Sequence, residues 1–212
     1  MTIFTVMTNF LEINKHKLPF AIKAISLILT IIVFSIYIML VVSGIKYPDL
    51  TTLIFVLLGT SIVFPVFIIG AAYLEWRHKR KIRNKAFKQP PFKDLAKIGF
   101  TNSYLNKNSK WKFTEEIKEV TIDNYLITCD IKRDTPNTIL FKALIKHCVI
   151  EKERFKTLET KFKQDDIYFD FNGLIKKYNV KKSMNLTIEQ VEYDLKQFVM
   201  ILKREEFEPD YI

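Results

Sequence analysis

The apolar positions of this chain follow three rhythms. Two unbroken stretches come first: Ala24 to Ile45 carries no charged residue over 22 positions, and Leu50 to Leu74 carries none over 25. A helix rises about 1.5 Å per residue, so either stretch covers the roughly 30 Å hydrocarbon core of a bilayer. Core helices of soluble proteins are rarely so long and so free of charge, and the apolar region of a signal peptide is shorter. The pattern predicts a transmembrane hairpin. Its first span covers 18–45, a short external turn covers 46–52 and includes Tyr47-Pro48-Asp49, and its second span covers 53–75.

Upstream, Ile3, Val6, Met7, Phe10 and Ile13 recur at helical spacing within an N-terminal segment, 1–17. That spacing fits a short helix lying on a membrane surface. It fits a frayed terminus equally well. Downstream, the residues from Trp76 to Lys88 can continue the second helix until Pro90-Pro91 ends it.

A different rhythm begins in 92–212, which is long enough for one compact domain. "FKDLAKIGF" reads as a short helix closed by Gly99. A polar loop, "TNSYLNKNSK", follows. Tyr125, Ile127, Cys129 and Ile131 then recur at every second position, as do Ile139, Phe141, Ala143 and Ile145 across a "DTPN" turn. These are half-buried strands, and an earlier strand is expected within 111–122. Phe155, Leu158 and Phe162 share one face of a helix. Ile167, Phe169 and Phe171 alternate before Asn172-Gly173, a favoured hairpin turn, which makes "LIKKYNV" a further strand. Thr187 and Gln190 have capping-box spacing ahead of a stripe of Ile188, Val191, Leu195, Phe198 and Ile201/Leu202. The expected fold is a membrane protein: an N-terminal two-helix transmembrane hairpin plus a cytoplasmic α+β domain. That domain has a small antiparallel sheet and two or three helices on one face.

Charge supplies the orientation. The net charge is +10, but it is unevenly spread. Residues 1–76 carry four basic and three acidic groups, 77–91 carry seven basic groups and no acid, and 92–212 carry 22 and 20. Lys and Arg beside a span stay in the cytoplasm. Both termini are therefore expected on the cytoplasmic side of an inner membrane, with membrane lipids as partners. Within the basic juxtamembrane segment, 76–91, the residues expected at lipid head groups are Trp76, Arg77, Lys79, Arg80, Lys81, Arg83, Lys85 and Lys88. Each cation contributes about 1 kcal/mol of attraction there. Tyr73 and Trp76 suit the aromatic belt. The domain beyond is nearly neutral, so nucleic acid is not the expected partner.

Each span also carries a narrow stripe of small or hydroxylated residues. On the first, Ser26, Thr30, Tyr37 and Gly44 fall within about 40° of one another. On the second, Gly59, Val63, Val66 and Gly70 form a similar narrow stripe. The stripes serve to pack the hairpin against itself or, in a homo-oligomer, against neighbouring protomers. Pro65 predicts a mild kink. Neither uncharged run holds an Asp, Glu, Lys, Arg or His, which speaks against a proton relay or an ion-coupled transporter.

Catalytic chemistry is hard to find. The chain has five glycines, too few and too scattered for a Walker loop or a dinucleotide fingerprint. His147-Cys148 are adjacent, and neighbours on a strand point to opposite faces. Cys129 and Cys148 are too few for a zinc site and are expected as free thiols. Asp165, Asp166 and Asp170 cluster in "DDIYFD". Asp166 and Asp170 would share a strand face with Tyr168 and are the candidates for a ligand or cation, with a solvated turn as the plainer reading. No metal and no cofactor is called for. The reading is a non-enzymatic, membrane-anchored protein whose cytoplasmic domain recognises a ligand or protein partner. The layout also resembles the two-span effectors of nucleotide-signalled bacterial defence systems, a likeness of architecture carried by no motif. It implies the alternative, an oligomerising effector that permeabilises the inner membrane when its cytoplasmic domain binds a signal such as a nucleotide.

Overall fold

The uncharged runs fold as helices because little in them interrupts the backbone ladder before Gly44 and Pro65. The structure is a computed structural model and describes residues 3–44, 49–132, 135–146 and 150–210. Helix α1 spans Ile3–Asn14, α2 spans Leu18–Val42 and α3 spans Leu50–Leu58. A π-helical turn, Gly59–Val63, leads without a break into α4, Phe64–Ala86. Pro19 lies in the first turn of α2, where its missing N–H is harmless. Asp49 caps α3 by accepting from the Thr52 N–H at 3.0 Å. Helix α2 and the continuous Leu50–Ala86 helix are long and apolar enough to cross a membrane. No residue in the most apolar stretch of α2 is buried, unlike the core helix of a soluble fold. Tyr47-Pro48 of the expected turn lies outside the described residues.

The chain divides into two compact units. One comprises Met1–His78 and Asn106–Glu115, the other Lys79–Leu105 and Glu116–Ile212. The division falls inside α4, rather than in a linker before Phe92.

The second unit is an antiparallel sheet with helices. Its strands are β1 (Thr101–Leu105), β2 (Glu115–Ile122), β3 (Tyr125–Lys132), β4 (Thr135–Leu144), β5 (Ile167–Asp170) and β6 (Gly173–Asn179), in the order β1-β2-β3-β4-β6-β5. Helices α5 (Lys152–Gln164) and α6 (Ile188–Arg204) and a 3₁₀ segment, Phe92–Ile98, accompany them. The alternation in β3 is realised residue by residue: Tyr125, Ile127, Cys129 and Ile131 are buried and their neighbours are not. Ile127 faces Ala143 and Cys129 faces Phe141 across the ladder, so both strands turn the same side inward. That side meets Phe92, Leu95, Phe162 and the α6 stripe of Val191, Leu195, Phe198 and Leu202. Both halves of the Thr187–Gln190 capping box form.

Three local expectations are corrected. "TNSYL" is not a loop but β1, a strand at the edge of the sheet whose residues are mostly exposed, so it carries no apolar alternation. Trp111 to Thr114 do not begin a strand; β2 starts at Glu115. The β5–β6 hairpin turns one residue earlier than expected. Asp170 pairs with Gly173, leaving Phe171 and Asn172 as the two-residue loop, and Phe171 is 98% exposed rather than inward. Gly173 is required by its neighbour: a Cβ there would lie 2.2 Å from the Ala143 carbonyl oxygen. The "DTPN" segment also contributes to pairing, with Thr135 opposite Lys132.

Candidate functional site

The helical unit solves a problem that Pro65 creates. Proline has no N–H to return to the carbonyl four residues earlier, which is that of Ser61. Just upstream the backbone widens into the π-helical turn, where the Phe64 N–H reaches the Gly59 carbonyl. The Ser61 carbonyl receives the Ser26 hydroxyl of α2 at 2.7 Å, and Thr30 Oγ1 lies 3.1 Å from Ser61 Oγ. Ser26 and Thr30 thus do join the two long helices. The expected glycine contacts differ. A Cβ added at Gly44, Gly59 or Gly70 would meet nothing within 4 Å, and Val63 and Val66 are exposed. Within the chain, hydroxyls rather than these glycines fasten the pair. Ser61 was missed because its partners share no sequence period with it.

The same unit contains a buried aromatic knot. Phe10, on α1, is 1% exposed and lies 5.4 Å from Tyr73, 5.2 Å from Trp76 and 5.2 Å from Phe113, measured between ring centroids. Burying a phenylalanine fully contributes about 1.5–3 kcal/mol. Trp76 Nε1 donates to the Thr114 carbonyl at 3.1 Å. The Thr114 N–H donates to Asn14 Oδ1 at 2.8 Å, and Asn14 Nδ2 donates to the Phe10 carbonyl at 3.1 Å. Lys17 Nζ donates to the carbonyls of Asn106 and Lys112, and burial lowers its pKa. The α1 segment is therefore an anchored helix and not a frayed end. Trp76 is occupied by protein. The exposed indole is that of Trp111, 73% accessible, with its ring 4.9 Å from Phe20.

The basic stretch splits into two kinds of residue. Arg83 is nearly buried, its side chain 6% exposed, and it holds the Asp130 carboxylate through Nε at 2.6 Å and Nη2 at 2.9 Å. Arg80 pairs with Glu116 at 3.2 Å. Both guanidiniums pair with acids of the sheet unit. Lys81, Lys85 and Lys88 are exposed, while Arg77 and Lys79 are half-buried.

In the sheet unit an open groove lies beside the β5–β6 hairpin. Ile145, Ile150, Phe155 and Phe169 form its apolar part, and Asp170, Phe171 and Asn172 form its rim. Lys142 Nζ donates to Asp170 Oδ2 at 2.5 Å and to Asn172 Oδ1, fixing the loop beneath Phe171. Burial pushes the Asp170 carboxyl up. The Lys142 hydrogen bond, the Phe171 backbone N–H and the Lys142 charge outweigh that and hold it below the usual carboxylate range. Asp166 is not on the strand face with Asp170. It sits in the preceding turn at φ 56, with the Tyr168 hydroxyl 3.4 Å away. Among the described residues, no three His, Cys, Asp or Glu side chains group as a metal site would require. Cys129 is fully buried, which raises its thiol well above the usual range and makes it inert. His147-Cys148 lies outside the described residues.

Comparison of the chain with family models, with curated proteins and with solved structures finds no match.

Proposed function

We propose that this is a membrane-anchored, non-enzymatic protein. Its helical hairpin spans an inner membrane with both termini on the cytoplasmic side, and its sheet unit recognises a protein partner through the groove at the β5–β6 hairpin. Two long apolar helices with exposed side chains support the anchor. The excess of Lys and Arg directly after the second supports the orientation. The observation that carries recognition is Phe171. A phenylalanine left 98% exposed, on a loop pinned by Lys142 and beside an apolar groove, has the character of an interface anchor.

The test uses the full-length protein in cells, with a photoreactive phenylalanine at position 171 and another at the exposed Met200. A discrete adduct from 171 alone, abolished by Phe155→Ser, supports the reading. Identical adducts from both positions, or none, remove it. Carbonate extraction and external protease test the anchor separately: a chain released by carbonate, or a sheet unit digested from outside, removes the membrane assignment.

Assembly of hairpins is a second reading. It is favoured by the outward face of α4 and the π-helical turn, where Val63 and Val66 are exposed and nothing overlies Gly59 or Gly70. A Gly70→Leu change that lowers the oligomeric mass in detergent supports it; a wild-type chain that is monomeric at every concentration removes it.

A further inference from the structure

The helical unit contains a groove that the hairpin does not fill. Ala21, Ala24, Ile25 and Ile28 of α2 form one wall, and Ile68 and Ile69 of α4 form the other. Lys110, Trp111, Lys112 and Phe113, from the segment joining β1 to β2, close one end. The groove encloses about 190 Å³.

Its two chemistries are separated in space. The walls are aliphatic throughout. The closed end carries two exposed lysines, and neither is paired with an acid among the described residues. Both stand beside Trp111, an indole exposed in the manner of an interfacial aromatic. Ala24, Ile25 and Ile28 open the uncharged run, directly after Lys23, so the groove lies at the end of α2 where polar and apolar surroundings meet. An elongated apolar body with an anionic head fits such a site, and a free phosphate or a soluble apolar ligand does not.

We propose that this groove holds one anionic glycerophospholipid of the cytoplasmic leaflet. One acyl chain lies between α2 and α4, and the phosphate lies at Lys110 and Lys112. The inference rests on the membrane reading above, and it assigns a role to the segment between β1 and β2 that a plain anchor does not need. The lipid joins a loop synthesised late to helices synthesised early.

The full-length protein is reconstituted in vesicles of phosphatidylcholine with phosphatidylglycerol, extracted in mild detergent, and weighed by native mass spectrometry. The expected result is one phosphatidylglycerol retained per chain, in preference to phosphatidylcholine. Lys110→Gln/Lys112→Gln should lower that retention about tenfold, or about 1.4 kcal/mol. Ala24→Trp, which fills the groove, should remove bound lipid of either type. Lys156→Gln/Lys163→Gln, on the exposed face of α5, should leave retention unchanged. Equal retention by the wild type and the Lys110/Lys112 variant overturns the proposal, as does loss only in the Lys156/Lys163 variant. A dimer that Ala24→Trp dissociates, with no lipid mass, assigns the groove to a second copy and also overturns it. Should Ala24→Trp fail to fold, the two lysine variants still decide. A protein that resists carbonate extraction yet retains no lipid refutes the site while leaving the membrane reading intact. A protein released by carbonate refutes both.

Discussion

The Ser26 hydroxyl donates to the Ser61 carbonyl at 2.7 Å, the one carbonyl to which Pro65 can return no N–H. Away from water an unsatisfied carbonyl is costly, and here the hydroxyl of a neighbouring helix satisfies it. The bond is therefore conditional on the proline.

That dependence is testable as a cycle. Ser26→Ala should destabilise the helical unit by about 1–2 kcal/mol. Pro65→Ala restores an intrahelical N–H, and in that background Ser26→Ala should cost less than half as much. Reversible unfolding of the full-length protein in mixed detergent micelles measures all four variants. Equal costs in both backgrounds would contradict the link.

Arg83 and Asp130 form a bidentate pair with little solvent access. Arg83→Gln should cost the sheet unit about 2–3 kcal/mol, because the Asp130 charge is left without its partner. Lys81→Gln/Lys85→Gln, on the exposed side of the same helix, should change stability by less than about 0.5 kcal/mol. Thermal melting by circular dichroism separates the two. Similar melting temperatures for both variants would mean that Arg83 is not structural.

Gly173 tolerates no side chain. Its Cβ would lie 2.2 Å from the Ala143 carbonyl oxygen, and backbone cannot yield as a flexible side chain can. Gly173→Ala should cost about 2–3 kcal/mol, read as a lower midpoint of urea unfolding at unchanged slope. A wild-type midpoint would show that β4 and β6 can separate there.

Acid should weaken the sheet unit. For Asp170, burial raises the pKa but the contacts with Lys142 and the Phe171 N–H outweigh it. Glu205 is lowered by its hydrogen bond from Lys161, and Glu208 by its hydrogen bond from Lys146. Each carboxyl has a lower pKa folded than unfolded. Its contribution is complete above the unfolded value, about 4, and is lost as pH falls through the folded one. Stability should be flat from about pH 7 to 5 and decline below about pH 4, and Asp170→Asn should show a shallower decline. Urea midpoints across pH measure this; an unchanged acid slope in the variant would exclude Asp170 as a contributor.

The elements legible in the sequence were those whose burial follows a local period. Tyr125 to Ile131 alternate because one face of β3 meets the core, and α6 shows its stripe and cap together. Strand β1 was illegible because an edge strand needs no apolar alternation. The paired roles of Arg83 and Arg80 were hidden because their acids, Asp130 and Glu116, lie far along the chain and no spacing rule connects them. Counting charges located the basic cluster but could not separate Arg80 and Arg83, which pair with acids, from the exposed Lys81, Lys85 and Lys88. The groove failed to register for the same reason: Lys110 and Lys112 read as an ordinary polar loop until folding sets them against Ala21 and Ile68.

The bond from Thr114 to Asn14 joins residues 100 positions apart. A ribosome adds about 5–20 residues per second, so α1 leaves the exit tunnel roughly 5–20 seconds before the loop that covers Phe10 does. During that interval Phe10 has neither Phe113 nor Thr114 beside it. Of its ring partners only Tyr73 and Trp76 are then within reach, so the cover over Phe10 is completed from the other side of the second long helix and last.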